Sequence, residues 1–461
     1  MRTPIRTGLI TAAALCLVAA LSCGKNEQEA QKFNRASDET FKRDMSELTS
    51  FKLANGITVY LQEERTDNQV AIEAIYRAGY TRDTKGKFQI AHLTEHMAMH
   101  CGSGPYKTGE LMSKVKDGKG MIAAEAVSDF IHVDYVVDAS RVDETLAIEA
   151  ARLTSLTCDQ QTLEEQARDV VGEFKKSLES DTGSLSRVAV GVLTHVLFYG
   201  ETHLPMQANV AKLTLDDVRA FHDAYYRPDD MCLVLIGNFK KPDVEALVRK
   251  HFESIPSRPA PPEREVVVKR SMRATWDVPV QMTFLVAPGP YNDPKERLIL
   301  TMFGTFLQTT LVRSPDVYNN SQAVLTSNQS YTVARLPFFM WTQAKQGLTT
   351  DTVVPVLFGQ LDQCIQALDD DRTVDLIKTN MISFVTSSGL QADEPDYPMM
   401  HFQVIGQEAL NVCLKHMLLE GRTPEQFADE INNVTPDEFR AVVKKHLDRK
   451  NFININVEPR A

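Results

Sequence analysis

The sharpest chemical signal in the sequence is a pair of histidines one helical turn apart with an acid beside the second, in Ala91-His92-Leu93-Thr94-Glu95-His96-Met97. Ile90, Leu93 and Met97 fall at i, i+3 and i+7, the spacing of an apolar stripe on a helix that faces a core. His92 and His96 then lie one above the other on the opposite side, with Glu95 next to them. Two imidazoles at i, i+4 can share one tetrahedral zinc ion, and a carboxylate held beside them can take a proton from water there.

A catalytic zinc site ordinarily needs a third protein ligand. The segment from Thr162 to Ser180 opens with Thr162 and Glu165 in capping-box spacing and continues with a stripe of Leu163, Ala167, Val170, Val171, Phe174 and Leu178. Glu173 stands at the edge of that stripe, a place where a glutamate is ordinarily just solvated. His100 continues the i+4 series, but Cys101-Gly102-Ser103-Gly104-Pro105 ends the helix there, which predicts a capping role. His132, in the alternating run Phe130 to Tyr135, marks the polar face of a strand.

The elements that must position these groups are legible in outline. Phe51 to Leu61 alternates about Asn55-Gly56, which predicts a hairpin, and Val70 to Tyr76 reads as a third strand. Thr214-Leu215-Asp216-Asp217-Val218-Arg219-Ala220 is echoed by Thr435-Pro436-Asp437-Glu438-Phe439-Arg440-Ala441 at an offset of 221 residues. The same offset carries the strand Met231 to Ile236 onto Phe452 to Val457, so two similar halves follow. Three prolines within Pro259-Ala260-Pro261-Pro262 deny both helix and central strand and place a linker between them. Strands arrive in clusters separated by long amphipathic helices, which predicts an α+β fold with largely antiparallel sheets.

Together these residues resemble the pitrilysin/insulinase-type metallopeptidases, the family of inverted HxxEH zinc enzymes that includes the mitochondrial processing peptidases. In that family a glutamate ligand on a second helix follows the motif at roughly the distance seen here, where Glu173 comes 77 residues after His96. The resemblance also takes in the Leu53 to Gly56 opening, the Tyr225-Tyr226-Arg227-Pro228 turn and the duplicated halves. It implies one Zn²⁺ per chain held by His92, His96 and Glu173, with Glu95 as general base. It further implies two homologous domains facing each other across a chamber that admits peptides or unfolded chains, which would add as a strand to a sheet edge.

Three positions depart from the family pattern. Ala123 stands where an asparagine usually clamps the substrate backbone, and Gln166 stands where a second glutamate precedes the ligand. The family's arginine and tyrosine, seven residues apart in the second half, correspond to Arg313 and Tyr318 at a spacing of five. These departures keep a rival reading open: a zinc-binding subunit with weak or no turnover, working as a homodimer or with a homologous partner.

The remainder of the sequence concerns address and partners. Arg2 and Arg6 precede an apolar run from Leu9 to Leu21, then Leu21-Ser22-Cys23-Gly24, a lipoprotein-like cleavage box. This predicts an exported bacterial lipoprotein on the periplasmic side, with lipid on Cys23 and, from Gly24, sorting to the outer membrane. Residues 1–22 are then signal peptide, 23–45 a polar tether, 46–256 the catalytic zinc domain, 257–268 the linker and 269–461 its homologue. Lys and Arg total 50 against 61 acids, and losing Arg2 and Arg6 takes the formal charge from −11 to −13, so nucleic acid is no partner. Cys101, Cys158, Cys232, Cys364 and Cys413 show no metal-ligand spacing, which predicts buried thiols with at most an occasional bridge.

Overall fold

The computed structural model describes residues 49–63, 68–179, 183–204, 209–262, 264–276, 281–289, 293–326, 336–387 and 419–459; Cys23, the signal and tether, and Cys413 lie outside them. The first half runs β1 (Thr49–Lys52), β2 (Thr58–Glu63), β3 (Gln69–Tyr76), α1 (Ile90–His100), α2 (Glu110–Asp117), β4 (Met121–Ala126), β5 (Ile131–Asp138), α3 (Val142–Thr154) and α4 (Gln160–Glu179). It continues with α5 (Gly183–Tyr199), β6 (His203–Leu204), α6 (Leu215–Tyr225), β7 (Met231–Gly237) and α7 (Lys241–Phe252). The second half holds β8 (Met272–Trp276), β9 (Met282–Ala287), α8 (Pro294–Arg313), α9 (Pro315–Asn320), β10 (Ser321–Thr326) and β11 (Phe338–Ala344). It closes with α10 (Thr350–Ala367), α11 (Asp371–Ser387), α12 (Pro424–Asn432), α13 (Pro436–His446) and β12 (Ile453–Pro459).

Two six-stranded sheets result, in the orders β1-β2-β7-β3-β5-β4 and β10-β11-β9-β12-β8-β6. The first is antiparallel except where β2 meets β7. In the second, β12, β8 and β6 run parallel and the rest antiparallel. The α+β class with largely antiparallel sheets therefore stands. The β1–β2 hairpin turns at Gly56, whose φ of 104° needs a residue without a side chain. The internal repeat is structural as well. Thr214 and Thr435 each close the same reciprocal capping box at the start of α6 and α13, and each helix leads into a central strand of its sheet.

The halves are less separate than the linker suggests. Residues 257–268 carry no helix or strand among the described residues. Yet β6, from the first half, pairs with β8 of the second sheet, and α5 buries Val192, Leu193 and Val196 in one cluster with Trp276, Phe284 and Ile455. On the first sheet, Tyr60, Ile75 and Val234 share a second apolar cluster with Phe427 and Ile431. Among the described residues no helix is long and apolar enough to cross a membrane.

Cys101 and Cys158 form a disulfide, the occasional bridge of the sequence reading, while Cys232 and Cys364 are buried free thiols. The bridge ties the C-cap of α1 to the residues just before α4, and the Gly102 and Thr157 backbones exchange hydrogen bonds of 3.0 and 2.7 Å beside it. One expectation is corrected here. α4 starts at Gln160, two residues before the proposed Thr162 cap, because the Asp159 carboxylate already accepts the Thr162 N–H at 2.8 Å.

Candidate metal centre

The motif helix is α1, and its stripe of Ile90, Leu93 and Met97 is fully buried against the first sheet. α4 packs alongside it in the opposite sense. Contacts at Cys101–Cys158, His96–Gln166 and His92–Glu173 run up one helix as they run down the other. Phe174, the neighbour of Glu173, is buried beside Phe88 with ring centroids 6.1 Å apart, which fixes this end of α4.

This packing brings His92, His96 and Glu173 together. A Glu173 carboxylate oxygen lies 3.3 Å from His92 Nε2 and 3.7 Å from His96 Nε2. All three donor atoms fall within 4.8 Å of one another. Zinc bonds of about 2.0–2.2 Å in tetrahedral geometry put neighbouring donors about 3.4 Å apart, so the trio matches the size and chemistry of a zinc site. The opposite ring nitrogens are also engaged. Gln166 Oε1 lies 3.0 Å from His96 Nδ1, and Gln89 Oε1 lies 2.9 Å from His92 Nδ1. With amide acceptors facing Nδ1, both Nε2 atoms face Glu173, and they are the ring nitrogens that would be offered to a cation.

The electrostatics of the trio suit a cation. Burial works against the charged form of His96, but hydrogen bonds to Glu173 and Gln166 and the nearby Glu95 charge raise its pKa to about 9. Glu173 is held far below the usual carboxylate range by the two imidazoles, despite partial burial. Glu95 moves the other way, because burial pushes its carboxyl up and the neighbouring histidines only partly oppose that. His96 and Glu173 are thus both biased toward their charged forms, while the Glu95 carboxyl is made more basic.

A cavity of about 560 Å³ opens over the trio. His92, Glu95, His96 and Glu173 line it together with Ala123 and Glu125 of β4, the outermost strand of the first sheet. Arg313 and Tyr318 are not among its lining residues. Arg313 is the last residue of α8, and Tyr318, on α9, is 72% exposed beneath the Lys345 ammonium at 4.2 Å from its ring centre. His100 has the expected capping geometry, its Nδ1 lying 2.9 Å from the His96 carbonyl oxygen.

Two features escaped the sequence reading. The first is Gln89, which adopts a left-handed φ of 68° at the start of α1, a conformation that costs a residue with a side chain about 1 kcal/mol. Only its position three residues before His92 hinted at a role. The second is the setting of His132. The polar face of β5 is internal: His132 is buried with Nδ1 2.9 Å from both Asp134 oxygens and 3.6 Å from Glu73, whose strand β3 pairs Glu73 with Asp134. A glutamate inside the apolar run Val70 to Tyr76 was the available signal.

Residues 212–336 match a family model described as the Peptidase M16 inactive domain, a segment that contains none of the trio. The chain is 25% identical over 210 residues to the zinc protease PqqE of Helicobacter pylori, a match covering 45% of this chain and 47% of that protein. The chain thus spans about half the length of that curated relative. Its fold is similar to a crystal structure of a protease from Helicobacter pylori, with a TM-score of 0.66 at 17% identity over 89% of this chain and 99% of that one. A peptidase M16 inactive domain from Pseudomonas fluorescens superposes with a TM-score of 0.61 at 16% identity, over 90% and 98% of the two chains. By segment match and by fold, the chain is related to the M16 peptidases, the pitrilysin/insulinase type that its sequence resembles.

Proposed function

We propose that this chain is a zinc-dependent endopeptidase of peptides and unfolded polypeptides, exported from a bacterial cytoplasm and tethered by lipid on Cys23 to the periplasmic side of a membrane. The observation that carries the reading is the meeting of His92, His96 and Glu173 donors within 4.8 Å, in one cavity with Glu95 and a sheet edge. His92 and His96 would hold the ion through Nε2 and Glu173 through a carboxylate oxygen. When bound, zinc supplies a Lewis acid that polarises a peptide carbonyl and makes water acidic near neutral pH. Glu95, its basicity raised by burial, takes the proton from the attacking water on a carboxylate oxygen and passes it to the departing amine. β4 offers main-chain groups along the cavity to an extended substrate, and Ala123 adds only a methyl group, so recognition rests on the backbone and tolerates many sequences.

The purified chain should carry about one zinc and cleave an unfolded protein substrate, lose both on chelation, and regain both on adding zinc back. Metal analysis and a gel-based cleavage assay read this, and a chain without metal after mild purification refutes it. Gln166→Leu removes the acceptor on His96 Nδ1 and should weaken zinc binding about tenfold to a hundredfold in a chelator competition. The position of Arg313 and Tyr318 outside the cavity lining favours one second reading, a metal-bearing subunit that needs a homologous partner. Zinc retained without cleavage until a second chain is added would select that reading.

A further inference from the structure

Gln89 is the described residue that departs furthest from its ordinary backbone preference near the trio. It is buried, sits at φ 68° and ψ 16°, and points its side-chain oxygen at His92 Nδ1, 2.9 Å away. A non-glycine residue remains in the left-handed region only when its surroundings over-determine it. Here they do. The buried Asp83 carboxylate accepts the Gln89 N–H at 2.7 Å and the Ala91 N–H at 2.9 Å, fixing the first turn of α1. Asp83 is itself held. Its carbonyl accepts hydrogen bonds of 2.7 Å from the Tyr199 hydroxyl and from Arg264, and its carboxylate lies 3.6 Å from buried His195.

The turn therefore has one conformation, and its product is an amide oxygen placed against one nitrogen of one histidine. From this geometry we infer that Gln89 is a positioning residue for His92, its strained backbone maintained by Asp83 so that its side chain keeps the proton on Nδ1 and frees Nε2 for the ion. The inference rests on the metal reading above and adds a part that the motif does not contain. The other tautomer would put a hydrogen on Nε2 and shut that ring out of the site. In a helix that began one residue later, or with relaxed backbone at position 89, the ring would keep its place but lose the acceptor that selects the tautomer.

The variants separate this role from a merely structural one. Gln89→Gly removes the amide and also the conformational strain, since glycine takes the left-handed region freely. Zinc affinity, measured by chelator competition, should fall about tenfold or more while the metal-free thermal midpoint is held or raised. Gln89→Glu restores an oxygen acceptor for Nδ1–H and should return zinc affinity to within about threefold of wild type. Wild-type zinc binding by Gln89→Gly, or an affinity loss that Gln89→Glu fails to reverse, overturns the inference and leaves the metal reading intact. A wild-type chain that binds no zinc overturns both.

Discussion

Glu95→Gln should abolish peptide hydrolysis, by about a thousandfold, while leaving zinc content near one per chain. Proton transfer by a positioned carboxylate is worth about 10²–10⁴ in rate, and the amide has the same shape but cannot accept the proton. The substitution also isolates chemistry from folding. Glu95 is 6% exposed and burial raises its pKa, so its ionisation weighs against the folded state once the pH exceeds the value for the unfolded chain. A neutral glutamine removes that burden at pH 7. The denaturation midpoint should therefore hold or rise as activity disappears. Zinc retained with activity intact would show that another group moves the proton, and lost zinc would show that Glu95 serves the ion and not the water.

Arg152→Met should produce the largest loss of stability of any single change considered, about 3–5 kcal/mol by chemical denaturation. Arg152 on α3 is fully buried, with Nη1 3.2 Å from Glu149, and the Tyr76 and Tyr135 hydroxyls donate to the same carboxylate. Burial works against the guanidinium charge, but the adjacent carboxylate outweighs it and raises its pKa. Removing Arg152 leaves the Glu149 charge buried without its cation, which is the expensive half of a buried pair. Adding Glu149→Gln should recover most of the loss, because the amide carries no charge, its oxygen still accepts from one tyrosine hydroxyl and its NH2 can donate to the other. A double variant as unstable as Arg152→Met alone would mean that the arginine's packing, 5.8 Å over the Tyr135 ring, matters more than its charge.

How much of this was legible in the sequence differs from residue to residue for physical reasons. His92, Glu95 and His96 announce themselves because a helix repeats locally, so four residues suffice to put two rings on one face. Glu173 needed the family spacing, since the α1–α4 packing that brings it to the rings is a long-range fact. Thr162 and Glu165 have capping-box spacing, which points to a cap three residues beyond Asp159, the residue whose carboxylate caps α4. His132 was read correctly onto a strand, but its partners Glu73 and Glu125 come from neighbouring strands, and only the register places them. Gln89 was invisible because no local pattern marks a left-handed glutamine. It is required by Asp83, six residues upstream.

The crossing of α5 and β6 into the second sheet sets the order in which this molecule can be finished. α5 follows directly on the helix that carries Glu173, yet its apolar side is covered by Trp276, Phe284 and Ile455, all from the second half. A chain emerging from the ribosome holds every proposed ligand long before it holds the surface that covers α5. Without the second half, the proposed ligands would remain in sequence while the apolar side of α5 lost its cover and lay open to proteolysis.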